Sequence, residues 1–461
     1  MLAGGAALLT ALGLIQADAQ FAAGARLETR AGEAPSFTTA QGTQFQVIAS
    51  AIPMLSVRRL DEVSDLTVSE ATRIFWRPEP LLDQRPLFLE TLDLNHLLRP
   101  SKRSSWHLTL RTSYGEEDYT ALAQQLPTQP TLPQRLTLFS ANGSATGTWR
   151  ASRRGTLFFQ LDGLHRRPLD SQTTTGNGAE ILPTETFASA SPGARYQLSR
   201  RTLVEILAAV ADTDVSGISS PSPANGQTLD TGFSTPNSSP TGPTGHLNVF
   251  TVQPQVSISE ALTRYQRLRV TVGLTYARAL RQTSIGALKP VYPLGSASRP
   301  SLASQASIGA LKPVYPLVQL DLDSLLDRSR GGAVWRSTLS TGTMWYMDPV
   351  IGAAVWRGFL QGGINAEVGR AWAAGARVAF GTDLTRLPES AGPVLDETVI
   401  SLELPVRYRA SNRLLAEFGV SFTERGPYLD SHFGWRRDSR ELWLFLNLNA
   451  VTTATRTPQR L

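Results

Sequence analysis

The chain has no cysteine, which removes disulfide scaffolds, thiolate metal sites and cysteine nucleophiles together. Lysine is nearly missing as well. Only Lys102, Lys289 and Lys312 occur, so arginine carries the formal charge of +6. The arginines are scattered among acids and never run beyond a pair, which speaks against a nucleic-acid-binding patch. No stretch of the mature chain is apolar for 18 residues, so helical membrane spans are excluded.

Signatures of chemistry are missing too. There is no G-x-x-x-x-G-K-[ST], no H-E-x-x-H and no G-x-S-x-G. His96, His107, His165, His246 and His432 lie far apart and form no i, i+4 pair. His107 falls on a polar strand face, where it reads as a lumen residue with no nameable partner. Asp212-Thr213-Asp214-Val215-Ser216-Gly217 opens like a calcium loop, but Pro223 stands where the closing acid is needed. The sequence therefore predicts no catalytic residue, no metal and no cofactor.

What is present begins with an apolar run. Leu2–Ile15 followed by Ala17-Asp18-Ala19 has the h-region and small-x-small pattern of an export signal over 1–19, although no Lys or Arg precedes it. A mature N-terminal segment is expected over 20–42, and a polar tail over 452–461.

Between them the dominant pattern is alternation, which places apolar side chains on one face of extended strands. Trp106, Leu108, Leu110 and Tyr114 oppose His107, Thr109, Arg111 and Ser113. Leu268, Val270, Val272, Leu274 and Tyr276 oppose Arg267, Arg269, Thr271 and Thr275. Val318, Leu320 and Leu322 oppose Gln319, Asp321 and Asp323. Ile400–Tyr408 and Leu414–Phe422 alternate on either side of Arg409–Arg413. Pairing them as a hairpin predicts Leu404 opposite Phe418, Leu402 opposite Val420, and Arg407 diagonal to Glu417.

Short S-x-R turns, at Ser199-Arg200-Arg201 and Ser411-Asn412-Arg413, contrast with long polar connections at 212–245 and 282–316. Segregation of short turns from long loops, with strands of roughly ten residues, is the signature of an antiparallel up-and-down transmembrane β-barrel. Trp106 and Tyr114 lie on one face about 26 Å apart at about 3.3 Å per residue, near the height of a lipid-facing band. The expectation is an all-β barrel over 43–451, with an even strand count of about 12 to 16. One segment between Gly332 and Leu384 breaks the alternation of short and long connections, because Val350–Leu360, Ile364–Trp372 and Ala374–Leu384 count as three crossings. A secreted soluble β-sandwich is the competing fold.

Hairpins such as VRYRASNRLLAEFGVSF and RYQLSRRTLVEIL resemble those of Gram-negative outer-membrane β-barrels grouped as porin-like. The resemblance implies outer-membrane localisation, contact with membrane lipid and with the barrel-insertion machinery, and passage of small polar solutes. The chain departs from many such barrels at its end, where Leu442–Val451 runs into TTATRTPQRL instead of stopping on an aromatic residue.

Arg267, Arg269, Asp321, Asp323, Glu403, Arg407 and Glu417 all fall on polar faces and are the candidate pore-lining residues. The leading expectation is a non-enzymatic, porin-like channel. A plugged or narrow barrel used for binding, attachment or structure is the alternative, and a membrane hydrolase stands behind both. The segment SIGALKPVYPL occurs twice, at Ser284–Leu294 and Ser307–Leu317, within one connection, and reads as a short duplication that a loop absorbs.

Overall fold

The computed structural model describes residues 19–35, 43–76, 86–118, 135–172, 184–218, 245–282, 314–327, 333–348, 353–369, 371–383, 398–425 and 439–452. The expected signal residues 1–18 and tail residues 453–461 lie outside these, as do copy one of the doubled segment and copy two up to Pro313.

Eighteen antiparallel strands form one sheet: β1 (Ala19–Pro35), β2 (Thr43–Leu60), β3 (Ser64–Trp76), β4 (Leu87–Ser101), β5 (Ser104–Asp118), β6 (Arg135–Arg150), β7 (Gly155–Gln172), β8 (Thr184–Gln197), β9 (Thr202–Ile218), β10 (Gly245–Ala261), β11 (Gln266–Gln282), β12 (Val314–Asp327), β13 (Ala333–Asp348), β14 (Ala353–Val368), β15 (Trp372–Asp383), β16 (Thr398–Arg409), β17 (Leu414–Arg425) and β18 (Ser439–Val451). Each pairs with its sequence neighbours, and β1 pairs with β18 from Gly24↔Val451 to Glu33↔Leu442, so the sheet closes without an edge. Closure lets neighbouring strands satisfy the backbone donors and acceptors all the way round, which a strand-built membrane protein requires.

The all-β barrel and the even count are as expected, but 18 strands exceed the expected 12 to 16. The irregular segment resolves into one strand, because β14 runs unbroken through Gln361-Gly362-Gly363 and replaces two of the three crossings. With that change, connections such as 61–63, 102–103, 151–154, 198–201, 262–265 and 410–413 share one rim. Connections 219–244, 283–313 and 384–397 share the other. The wall also includes β1, drawn from the segment expected to precede the barrel.

The short turns have a common chemistry. Ser101, Ser152, Ser199 and Ser411 each accept hydrogen bonds at Oγ from the backbone N–H groups two and three residues on, at 2.8–3.2 Å. This local side-chain capture fixes a tight reversal. At 410–413 it sets the register. Ala410 N–H donates to the Leu414 carbonyl at 3.1 Å, and the strands pair as Arg409↔Leu415, Val406↔Phe418 and Leu404↔Val420. The pairing expected from sequence is thus off by two residues. An even shift keeps every side chain on its face, and it makes Arg407 and Glu417 direct partners.

Alternation gives the wall two unlike faces. Outward stand Leu110, Ile258, Val272, Leu274, Val378, Leu404, Phe418 and Leu444, all exposed. Trp106 and Tyr114 both point outward, near opposite ends of β5. Trp372 and Tyr408 pack together near the short-turn rim with ring centroids 4.5 Å apart. An apolar outer band bordered by aromatic side chains is suited to lipid and has no use in water.

Candidate functional site

The inner face is built by the opposite residues of the same strands. A barrel of 16 to 18 strands is wide enough to leave water inside rather than be filled by its own side chains. A cavity of about 840 Å³ lies against the wall from β8 to β16. Its lining includes Glu205, Arg267, Arg269, Asp321, Asp323 and Glu403.

Register explains why charges collect there. Arg267 stands opposite Asp323, and Arg269 opposite Asp321, across β11 and β12. Further round the wall, across β15 and β16, Arg377 stands opposite Glu403. The hydrogen bonds then sort these groups. Glu205 is the best held: it accepts from Arg195 and, at 3.0 Å, from Arg269 Nη2, and its side chain is 11% exposed. Arg269 also donates to Ser257 Oγ at 3.4 Å. Arg377 donates to Glu403 at 3.1 Å. Asp321 accepts from Gln319 Nε2 at 2.9 Å and from Ser340 Oγ, with no cation in contact among the described residues. Arg267 and Asp323 face the cavity with no ion pair or side-chain hydrogen bond among the described residues.

Five of the seven residues marked by sequence, Arg267, Arg269, Asp321, Asp323 and Glu403, therefore line one cavity. Arg407 and Glu417 face inward but form an ion pair with each other, and neither lines it. Sequence reasoning missed Arg195, Glu205, Arg336 and Arg377, which line it as well. Glu205 is the one charged residue in the otherwise apolar run Leu203–Ala211, where no alternation marks its face.

The wall is not uniform. Toward the long connections, Val215, Val249, Thr275, Ala277, Tyr315 and Leu317 also point inward, yet all are buried. Tyr315 and Leu317 belong to copy two of SIGALKPVYPL, whose last four residues start β12. The inner wall thus has a charged part lining the cavity near the short turns, and a buried part on β9–β12 toward the long connections.

Histidines meet polar partners without forming a catalytic set. Ser64 Oγ lies 2.9 Å from His96 Nε2, His107 lies 3.0 Å from Asn95 Oδ1, and His246 lies 2.5 Å from Asp214 Oδ1. None of these pairs combines a nucleophile, a histidine and an acid among the described residues. No group of three histidine or acidic side chains able to hold a metal occurs among the described residues either.

No family model matches the chain, and no curated protein matches it. Among solved structures it is similar to the copper transporter OprC, at 11% identity over 94% of this chain and 80% of that one, with a TM-score of 0.47. It is also similar to OccK9 of Pseudomonas aeruginosa, at 13% identity over 94% and 99%, with a TM-score of 0.41. The FrpB iron transporter of Neisseria meningitidis gives 10% identity over 91% of this chain and 64% of that one, with a TM-score of 0.48. The chain's own architecture is a closed 18-stranded antiparallel β-barrel with an apolar outside and a charged inside.

Proposed function

We propose that this chain is an outer-membrane, porin-like channel through which small polar solutes diffuse, with no enzymatic step. One observation carries the reading: the same strands present an apolar band outside and a charged, open cavity inside. Soluble β-sandwiches bury one sheet face on another, whereas here the apolar face is the exposed one. Arg267, Arg269, Asp321, Asp323 and Glu403 are the groups a solute would meet, and opposed charges across water set ion preference. Arg407 and Glu417 contribute by keeping the wall neutral at that point. Membrane lipid, the insertion machinery and small solutes are the partners this reading requires, and nucleic acid is not among them.

The plugged barrel is a second reading, favoured by the buried inward side chains Val215, Val249 and Thr275. Liposome swelling separates the two. Liposomes carrying folded protein should swell in glycine and arabinose and more slowly in trisaccharide. Folded protein that leaves swelling at the rate of empty liposomes for every solute would establish the plugged barrel instead.

A further inference from the structure

Four consecutive turns on the short-turn rim carry cations and no acid. They are Lys102-Arg103, Ala151-Ser152-Arg153-Arg154, Leu198-Ser199-Arg200-Arg201 and Leu262-Thr263-Arg264-Tyr265. They join β4 to β5, β6 to β7, β8 to β9 and β10 to β11, so they follow one another along a continuous arc of the rim. Successive turns are two strands apart, or about 10 Å at about 4.8 Å per strand.

The arc is rigid. Besides its serine or threonine cap, each turn passes a backbone hydrogen bond to the next strand. Arg103 carbonyl accepts from Arg150 N–H at 2.7 Å, Arg154 carbonyl from Gln197 N–H at 2.9 Å, and Arg201 carbonyl from Ala261 N–H at 2.9 Å. The cationic side chains are thereby displayed at fixed intervals. Those of Lys102, Arg103, Arg153, Arg154, Arg200 and Arg201 are exposed and make no ion pair or hydrogen bond among the described residues. The neighbouring turn 61–63 is of the other kind, with Asp61 and Glu62, and there Arg59 is paired to Asp61 at 3.2 Å.

Directly inward of the arc, on the lipid-compatible face, stand Trp106, Trp149 and Tyr196, all exposed. Tryptophan and tyrosine settle at the level of lipid headgroups. Cations a few ångströms beyond that level meet phosphate, and arginine binds phosphate through two parallel N–H donors. We infer that this arc is a docking surface for anionic phospholipid headgroups of the leaflet that surrounds the short-turn rim. The inference rests on membrane insertion from the reading above but not on conduction, so a barrel that fails to conduct can still satisfy it.

The test uses the intact chain folded into phosphatidylcholine vesicles containing phosphatidylglycerol, with bromine on the acyl chains of one lipid at a time. Bromine quenches tryptophan on contact. Brominated phosphatidylglycerol should compete for the barrel surface about threefold to tenfold better than brominated phosphatidylcholine. The preference should vanish near 1 M salt, where the screening length is about 3 Å. Replacing Arg153, Arg154, Arg200 and Arg201 together by glutamine should abolish it, and replacing the same four by lysine should retain most of it. Inorganic phosphate at the same total concentration should leave it intact. Equal quenching by the two lipids, a preference that survives the glutamine changes, or one abolished by inorganic phosphate would each overturn the assignment.

Discussion

Glu205 ties three strands of the inner wall together through two ion pairs. It is 9% exposed and shared by Arg195 and Arg269, so one carboxylate holds two strands, β8 and β11, to β9. Both arginines are nearly half exposed, and this water discounts the pair well below a buried ion pair. Glu205→Gln should lower stability by about 1–2 kcal/mol, read as the midpoint of urea unfolding in detergent or lipid. Asp323→Asn is the contrasting change, because Asp323 has no partner among the described residues; its midpoint should stay within about 0.5 kcal/mol of the parent. An equal loss for both would mean that Glu205 holds nothing. The cavity charges were legible in sequence as polar faces, since alternation alone separates Arg267 and Asp323 from the leucines. Their pairing was not, because it depends on register: Arg269 stands opposite Asp321 yet bonds to Glu205, on a strand two positions away.

Among the elements, the seam between β1 and β18 is tightly constrained at Gly32. Gly32 faces Trp443, and a Cβ at that position would lie 1.9 Å from the Leu442 carbonyl oxygen. Backbone cannot yield as a flexible side chain can, so Gly32→Val should prevent closure. Closed barrels migrate faster on a gel before boiling than after, and this variant should lose that shift. Gly363→Val is the control: a Cβ there comes no nearer than 3.4 Å to the Thr338 hydroxyl, 3.7 Å to the Ala376 carbonyl oxygen and 3.9 Å to Arg377 Cγ, so the shift should remain. Persistence of the shift in Gly32→Val would show that the seam is looser than the register implies. The same two regions mark where sequence reading stops. Strand β1 has only Phe21 and Leu27 as large side chains on an outer face otherwise made of Ala23, Ala25, Thr29 and Ala31, too few to announce alternation. In β14 the adjacent Gly362 and Gly363 imitate a turn, but their neighbours leave ordinary space and the strand continues. By contrast β5, β16 and β17 carry large apolar side chains at most alternate positions, Thr112 and Ala416 being the small ones, and these made their faces readable.

At the scale of the whole molecule, a closed barrel with an apolar exterior carries a charged cavity beside a patch of buried inward side chains on β9–β12. The cavity lies along β8–β16, so on the proposed channel reading a solute would meet Arg267, Asp321, Asp323 and Glu403. On the proposed channel reading, conductance should fall below that of an unobstructed barrel of 18 strands. Planar bilayers provide the most direct measurement. Protein shown by its gel shift to be folded should insert with discrete, ohmic current steps, and Asp323→Asn should move the reversal potential under a salt gradient toward anions. Folded protein that gives no steps at any voltage would contradict the open lumen and leave a plugged barrel in its place.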